Sequence, residues 1–375
     1  MLKRVSIQNF KSLKDVTLDL QKINLLIGPN NSGKTNFLKA LEFIRYQTSR
    51  NDSINNFVFK REKYKTIEVS LSFDGNYDYG EYEHITFKSL ADSNERRTGH
   101  YNYQFISHYS ENLNSLGVRR NLITTIDAEK LVSSLFKFQI GPLIIYKPDP
   151  NKLDKPAPVG RGDSLVIADA SNIIAFFDRI RDEYPQTFAQ IKADLSKCVP
   201  EFTEINFQSV ESTEELIKQF GDKTFKRIGL TDSRQKTIYW ADELSEGTLY
   251  FIALLCIINQ PNPPKLLLLE EPEKGIHPRR IREVMNFIFR LAEEKDIQVI
   301  MTTHSPVVLD MFAEMPESVF IFDKDDEGAT HVKNLQRDVI EPDTERSKTL
   351  GMEPPRYTDA LGDSWTIGFL GGVPK

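Results

Sequence analysis

Cysteine is nearly missing from this sequence: Cys198 and Cys256 are the only two in 375 residues. Both sit among apolar neighbours, so a disulfide scaffold is excluded and buried free thiols in a reducing compartment are expected. Long apolar runs are lacking as well. The longest, Phe251 to Ile258, is far too short to cross a bilayer. The opening Met1-Leu2-Lys3-Arg4-Val5-Ser6 has no apolar core of a signal peptide, so a cytoplasmic protein with no membrane partner is expected. There is no excess of positive charge either. Lys and Arg number 48 against 54 Asp and Glu, giving a net charge of −6 and a pI near 5.7. No global field therefore draws the chain onto nucleic acid. Small basic clusters, Lys60-Arg61-Glu62-Lys63 and Arg279-Arg280-Ile281-Arg282, fit solvated faces better than a DNA track. Any DNA binding is expected to be weak, non-specific and salt-sensitive. No repeat or low-complexity tract occurs. With 39% hydrophobic and 27% charged residues, the chain reads as soluble and globular, one large domain or two ordinary ones.

What stands out is Gly28-Pro29-Asn30-Asn31-Ser32-Gly33-Lys34-Thr35, which fits G-x-x-x-x-G-K-[ST]. Ile23-Asn24-Leu25-Leu26-Ile27 before it suits a buried strand. Asn36 and the residues after it place Phe37, Leu38, Leu41 and Ile44 at helical spacing. The plain alternative is a Gly-Asn turn running into a helix; the strand–loop–helix context favours a phosphate-binding loop. Its glycines let backbone N–H groups close around phosphate oxygens at the positive end of the helix. Lys34 is expected to reach the β- and γ-phosphates, and Thr35 to hold Mg²⁺.

Along the chain, Val5, Ile7 and then Val16, Leu18 and Leu20 alternate with polar residues, predicting two strands joined by a turn over Asn9–Asp15. Thr66–Phe73 reads as a strand closed by a turn at Asp74-Gly75-Asn76, after a polar linker at Asn51–Asn56. Residues 76 to 145 read as further β structure (His84–Phe87, Phe138–Ile140, Leu143–Tyr146) with a helix over Ala128–Phe136. Residues 147 to 164, rich in proline, read as a surface loop. Asn172–Tyr184 and Gln186–Lys197 read as two helices parted by Pro185, followed by a strand at Glu204–Phe207 and a polar stretch to about Ser233.

Three further stretches carry chemistry. Leu244-Ser245-Glu246-Gly247-Thr248 precedes a nearly all-apolar helix, Leu249–Asn259, whose first N–H groups are free to meet an anion. The core strand Lys265–Leu269 ends in Glu270-Glu271-Pro272-Glu273. Two carboxylates at a strand end suit a Mg²⁺-nucleotide site: the first orients the metal's water shell and the second polarises the attacking water. A buried strand also ends in an acidic turn by chance, and the motif alone leaves that open. Pro278 opens a helix. A second core strand, Ile297–Met301, delivers Thr302-Thr303-His304-Ser305-Pro306, where His304 suits a hydrogen bond to a γ-phosphate or to the nucleophilic water.

Taken in order, GPNNSGKT, LSEGT, LLLLEEPEKGIHP and TTHSP resemble the ABC-type ATPase head of the SMC, RecF and OLD-like proteins. The opening INFKSLKDVTLDL is similar too. The likeness covers residues 1–75 and 235–325 firmly and Asp169–Asn172 loosely. It implies an α/β fold: a two-lobed ABC-type P-loop NTPase head with a mixed, β-rich N-terminal lobe and a short helical insertion. The segments expected are an N-terminal lobe over 1–146, an insertion over 147–235, a C-terminal lobe over 236–335 and a tail over 336–375. The likeness implies an ATP site formed by Gly28, Asn30, Asn31, Ser32, Gly33, Lys34, Thr35 and Asn36, with Thr35 and Glu270 holding Mg²⁺. Glu271 and His304 take the catalytic roles, and Ser245, Glu246 and Gly247 form a signature offered in trans to a second copy. Glu273–His277 matches the D-loop region. No glutamine is assigned to the Q-loop. Glu270 stands where aspartate is usual, which shifts metal geometry and implies slow turnover.

The function expected is that of an ATP-binding, ATP-hydrolysing ATPase that dimerises on ATP, with higher oligomers open. It would control a separate effector protein in antiviral defence or DNA maintenance. The alternative is a nucleotide-gated scaffold or sensor with little turnover. A transporter ATPase is disfavoured by the opening strands and the EEPE motif. OLD nucleases carry a Toprim domain after the histidine; 47 residues follow Gly328 (375 minus 328), too few for one. Asp325-Asp326-Glu327-Gly328 reads instead as a hairpin turn into Thr330-His331-Val332.

Overall fold

The computed structural model describes residues 1–46, 66–73, 84–90, 107–108, 121–122, 140–159, 164–221 and 223–373. The expected linker at 51–56, the turn at 74–76, the helix at 128–136, strand residues 138–139 and the basic cluster at 60–63 lie outside the described residues, as does the Cys198 side chain.

The chain opens as a hairpin. β1 (Leu2–Phe10) and β2 (Leu13–Asp19) pair antiparallel from Phe10 opposite Leu13 to Arg4 opposite Asp19. Val5, Ile7, Val16 and Leu18 are buried, as the period of two requires. The turn is tighter than expected, Lys11-Ser12, with Asn9 and Lys11 taking positive φ of 59° and 50°. β3 (Ile23–Ile27) leads into α1 (Lys34–Tyr46). Next come β4 (Thr66–Phe73), β5 (His84–Leu90), β6 (Ser107–His108), β7 (Asn121–Leu122) and β8 (Ile145–Tyr146). The proline-rich stretch is more than a loop: it holds α2 (Pro150–Leu153) and β9 (Ala157–Val159). α3 (Ile173–Glu183) and α4 (Pro185–Cys198) follow, with Pro185 starting the second, where its missing N–H costs no helical bond. The stretch to Ser233 is also structured, as β10 (Phe202–Val210), α5 (Glu214–Phe220) and β11 (Thr224–Asp232). β12 (Ile238–Trp240), α6 (Glu246–Asn259), β13 (Leu266–Glu270) and α7 (Pro278–Glu294) come next. The described chain closes with β14 (Gln298–Thr302), α8 (Pro306–Asp310), β15 (Val319–Lys324), β16 (Thr330–Asn334), α9 (Glu341–Thr349) and α10 (Leu361–Thr366).

Two compact units result. One comprises Met1–Ile145, Leu266–Glu270 and Ala292–Lys375; the other comprises Tyr146–Lys265 and Glu271–Leu291. They are interleaved along the chain. Strand order is the reason: Leu266–Leu269 are fully apolar and buried, and β13 buries them by pairing with β14 in the first unit.

The first unit has two main sheets. One is antiparallel, β2-β1-β4-β5. The other runs β16-β15-β3-β14-β13-β8, with β15, β3, β14 and β13 mutually parallel. A parallel sheet buried on both faces needs unbroken apolar strands, which explains Leu25-Leu26-Ile27 and Leu266–Leu269. Helix α1 supplies Phe37, Leu38, Leu41 and Ile44 to a core that both sheets share. Because the central strands are parallel and adjacent, their carboxyl ends gather at one edge, where such sheets bind ligands.

The second unit is built on β10-β11-β12, with β9 also pairing β11. Pro158 lies opposite Phe225 on that edge strand, the place where a residue without an N–H is tolerated. Helix α6 is buried from Gly247 to Ile258. Phe251 meets Phe287 edge-on at 5.0 Å, and each such large side chain contributes roughly 1.5–3 kcal/mol by leaving water. Cys256 is a buried free thiol there, its pKa pushed up by burial.

Candidate functional site

The loop from Gly28 to Lys34 is held by close backbone approaches. Gly28 and Gly33 have φ of +141° and +112°, and Asn31 has φ of +66°. A Cβ on Gly28 would stand 2.2 Å from the Phe322 carbonyl oxygen, and one on Gly33 2.2 Å from Thr330 Oγ1. Any side chain at either position would collide. Lys34 is 5% exposed, and its Nζ donates to the carbonyl oxygens of Gly28 (2.7 Å) and Pro29 (2.9 Å). The ammonium thus spans the loop. Ser32 Oγ is buried with no hydrogen-bond partner among the described residues.

Behind the loop runs a chain of hydroxyls. Thr330 Oγ1 donates to the Ser32 carbonyl oxygen at 2.8 Å. Its proton being used there, Ser12 Oγ donates to Thr330 Oγ1 at 2.8 Å. Asn36 Nδ2 donates in turn to Ser12 Oγ at 2.9 Å. At the loop's tip, Lys324 Nζ donates to Asn31 Oδ1 at 3.1 Å.

Thr35 and Glu270 meet: the hydroxyl donates to the carboxylate Oε1 at 2.6 Å. Two hard oxygen donors so placed fit Mg²⁺, which takes few protein ligands and retains water and phosphate oxygens. No cluster of three or more His, Cys, Asp or Glu able to hold a metal occurs among the described residues. Strand β14 lies between β3 and β13, with Thr302 in register with both Leu26 and Glu270. Its end is pinned by Thr303 N–H donating to the Leu26 carbonyl oxygen at 3.1 Å. His304 follows as an exposed side chain at the same sheet edge.

The other expected residues belong to the second unit. Glu271, immediately after β13, has φ of +49°, an uncommon state for a residue with a Cβ. Its carboxylate Oε2 is faced by Lys147 Nζ at 3.5 Å and Lys274 Nζ at 3.4 Å. Ser245 is the N-cap of α6: its Oγ accepts from Thr248 N–H at 3.2 Å. One N–H expected to be free for an anion is therefore already capped, and the helix starts at Glu246 where Leu249 was expected. Gly247 lies against Arg280, whose Cδ would be 3.3 Å from a Cβ there. Gly28–Asn36, Glu270 and His304 thus sit in one unit, and Glu271, Ser245, Glu246 and Gly247 in the other.

A family model described as AAA domain, putative AbiEii toxin, Type IV TA system matches residues 23–310. The chain belongs to this AAA-domain family. An OLD nuclease from Thermus scotoductus is 21% identical over 329 residues, covering 83% of this chain and 60% of that protein. Endonuclease GajA from Bacillus cereus is 35% identical over 79 residues, 20% of this chain and 14% of its own length. This AAA-domain chain therefore spans less than two thirds of these relatives, 60% of the first and 14% of the second. Among solved structures, an SMC head bound to the C-terminal winged-helix domain of ScpA superposes with a TM-score of 0.56 at 17% identity, covering 90% of this chain and 99% of that one. The AAA-domain chain is an ABC-like ATPase of the SMC and OLD group, with the α/β P-loop head fold. No described helix is long and apolar enough to cross a membrane.

Reading the motifs alone missed Ser12, Thr330 and Lys324, which lie far from the loop in sequence. No local signal marks them: Ser12 is a polar residue in a strand turn, and Thr330 opens β16, a strand in which only Val332 is apolar.

Proposed function

We propose that this chain binds Mg·ATP at the Gly28–Asn36 loop, hydrolyses it slowly, and uses the cycle to dimerise and to control a separate effector. The observation that carries the reading is the Thr35–Glu270 contact at 2.6 Å, which joins the loop to the carboxylate expected to serve the metal. When bound, Mg²⁺ would neutralise phosphate charge and orient water; Thr35 and Glu270 would hold it. Lys34 would exchange its two loop carbonyls for phosphate oxygens, a stronger, charge-assisted pairing. Glu271 would accept a proton from the attacking water, and His304 would hydrogen-bond the γ-phosphate or that water. Ser245, Glu246 and Gly247 would close over the nucleotide of a second copy. A role in antiviral defence or DNA maintenance fits the family description and the nuclease relatives.

One observation favours the second reading, a nucleotide-gated scaffold with little turnover. The Glu271 carboxylate is faced by two ammonium groups, and a base so engaged is slow to take a proton. Steady-state phosphate release, with and without DNA, separates the two readings. Hydrolysis with ATP-dependent dimers supports the first; stable ATP-bound dimers without release support the second. Ser245→Arg should bind ATP as a monomer yet fail to dimerise or hydrolyse. Normal ATP-dependent dimers of that variant in light scattering would show that the two-copy site is wrong.

A further inference from the structure

We propose that the segment Leu361–Val373 positions the phosphate loop, with Trp365 and Gly372 as its positioning residues; this rests on the nucleotide-binding reading above. Nothing in the motifs assigns this segment a task. Its contacts do, and all of them lie within the first unit.

Gly372 lies against the strand beside the loop. A Cβ built on it would come 2.6 Å from Ile321 Cγ2, 3.5 Å from the Phe322 carbonyl oxygen and 3.6 Å from Gly28 Cα. The same Phe322 oxygen is what crowds Gly28. Phe322's carbonyl is therefore flanked by two glycines, one at the root of the loop and one 344 residues later (372 minus 28). Gly372 itself has φ of +65°, so a side chain there is penalised by conformation as well as by space.

Trp365 latches this glycine in place. Its ring is 8% exposed, and its Nε1–H donates to the Gly372 carbonyl oxygen at 3.1 Å in a buried hydrogen bond. Leu361 and Leu370, on either side, are also buried. The other end of the segment grips α8. Gly362 N–H donates to Asp310 Oδ1 at 2.7 Å, and a Cβ on Gly362 would meet the Pro306 carbonyl oxygen at 2.7 Å. One short segment thus leans on the root of the phosphate loop and on α8, the helix that begins two residues after His304. A loop held beforehand in its binding conformation need not be ordered by its ligand, and affinity rises accordingly.

The test uses the full chain and the slowly hydrolysed analogue ATPγS with Mg²⁺. Calorimetry on the wild type comes first: no binding would overturn the nucleotide reading and this inference together. With binding established, Gly372→Val should weaken affinity about tenfold or more, the equivalent of 1.4 kcal/mol. Trp365→Phe keeps an aromatic side chain while removing the N–H donor and part of the indole's volume, a milder change that should fold even if Gly372→Val does not. It should weaken affinity by about 2- to 10-fold, as expected for one lost hydrogen bond. Phe369→Ser, at a position 71% exposed in the same segment, should bind as wild type. A direct readout comes from 5-fluorotryptophan labelling, because the chain has two tryptophans and a Trp240→Phe spectrum assigns them. The Trp365 resonance should shift on adding Mg·ATPγS and stay fixed in Lys34→Ala. If wild type binds while folded Trp365→Phe is unaltered in affinity, or the Trp365 resonance does not respond, the positioning role is wrong and the nucleotide reading stands.

Discussion

Glu270 and Glu271 are consecutive, yet they belong to differently built regions. Glu270 ends a buried strand and takes the Thr35 hydroxyl, within the unit that holds the loop. The loop that presents Thr35 is held by close packing, Gly28 against a carbonyl and Gly33 against a hydroxyl, and by hydrogen bonds running from Asn36 through Ser12 and Thr330 to Ser32. Glu271 leaves the strand with a left-handed backbone and meets two long, flexible lysines at 3.4–3.5 Å. Such partners are partly solvated and individually weak. The residues proposed to bind nucleotide are held by tight packing within the first unit, whereas Glu271, proposed to act on water, is faced by side chains that can move.

The largest effect that would sharpen the contrast is on turnover. Glu271→Gln keeps shape and hydrogen bonding but cannot accept a proton, so phosphate release should fall by about 10²–10⁴-fold while Mg·ATP binding persists. The ATP-bound dimer should then be long-lived and fall apart when Mg²⁺ is chelated. Glu270→Gln should instead weaken the metal and with it the dimer. Both variants can be followed by light scattering and phosphate release; dimers trapped by Glu270→Gln alone would mean the two roles are reversed. Next in size, Lys34→Ala should lower nucleotide affinity by roughly a hundredfold, since each charge-assisted hydrogen bond is worth about 1.5–3 kcal/mol. Wild-type affinity in calorimetry would break the loop assignment.

Smaller effects probe the scaffold. Thr330→Val preserves volume but strips the Ser32 carbonyl and Ser12 of their shared hydroxyl, at a cost of about 1–3 kcal/mol readable in thermal or denaturant unfolding. The smallest concerns acid stability in the second unit. Burial pushes the Asp169 carboxyl up, but the Lys152 ammonium and the Ser171 N–H and hydroxyl outweigh it and hold the pKa below the ordinary value. A depressed native pKa contributes stability that is complete above the unfolded value near 4 and is lost as pH falls through the native one. Asp169→Asn should therefore lower stability at neutral pH and flatten its decline as pH falls below about 4. An unchanged acid limb in denaturant titrations would remove Asp169 from that account.

Much of the fold and part of the site were legible in the residues. Val5, Ile7, Val16 and Leu18 announced the hairpin by alternation, and Leu266–Leu269 announced a strand buried on both faces. The loop was legible because its G-x-x-x-x-G-K-[ST] pattern lies between an apolar strand and a helical run. The Asp325–Gly328 turn joins β15 to β16 as expected, with Gly328 at φ of +82°. Less visible was β11, since Lys226 and Arg227 interrupt its apolar pattern and it is held by pairing with β9, β10 and β12. The proline-rich stretch hid β9 for the same reason: an edge strand tolerates Pro158, and composition alone says loop.

By itself the sequence determined the elements whose causes are local: the glycine loop, the apolar parallel strands, the helix opened by Pro278, and the two carboxylates at the end of β13. Tertiary structure alone decided which distant residues support them. Ser12 meets Thr330 and Asn36, Gly372 meets the root of the loop, and Lys147 faces Glu271, each across a separation that no periodicity records. The reason is physical. A local conformation follows from the torsional preferences of a few neighbouring residues, whereas a hydrogen bond between residues 12 and 330 exists only once strand order has brought them together.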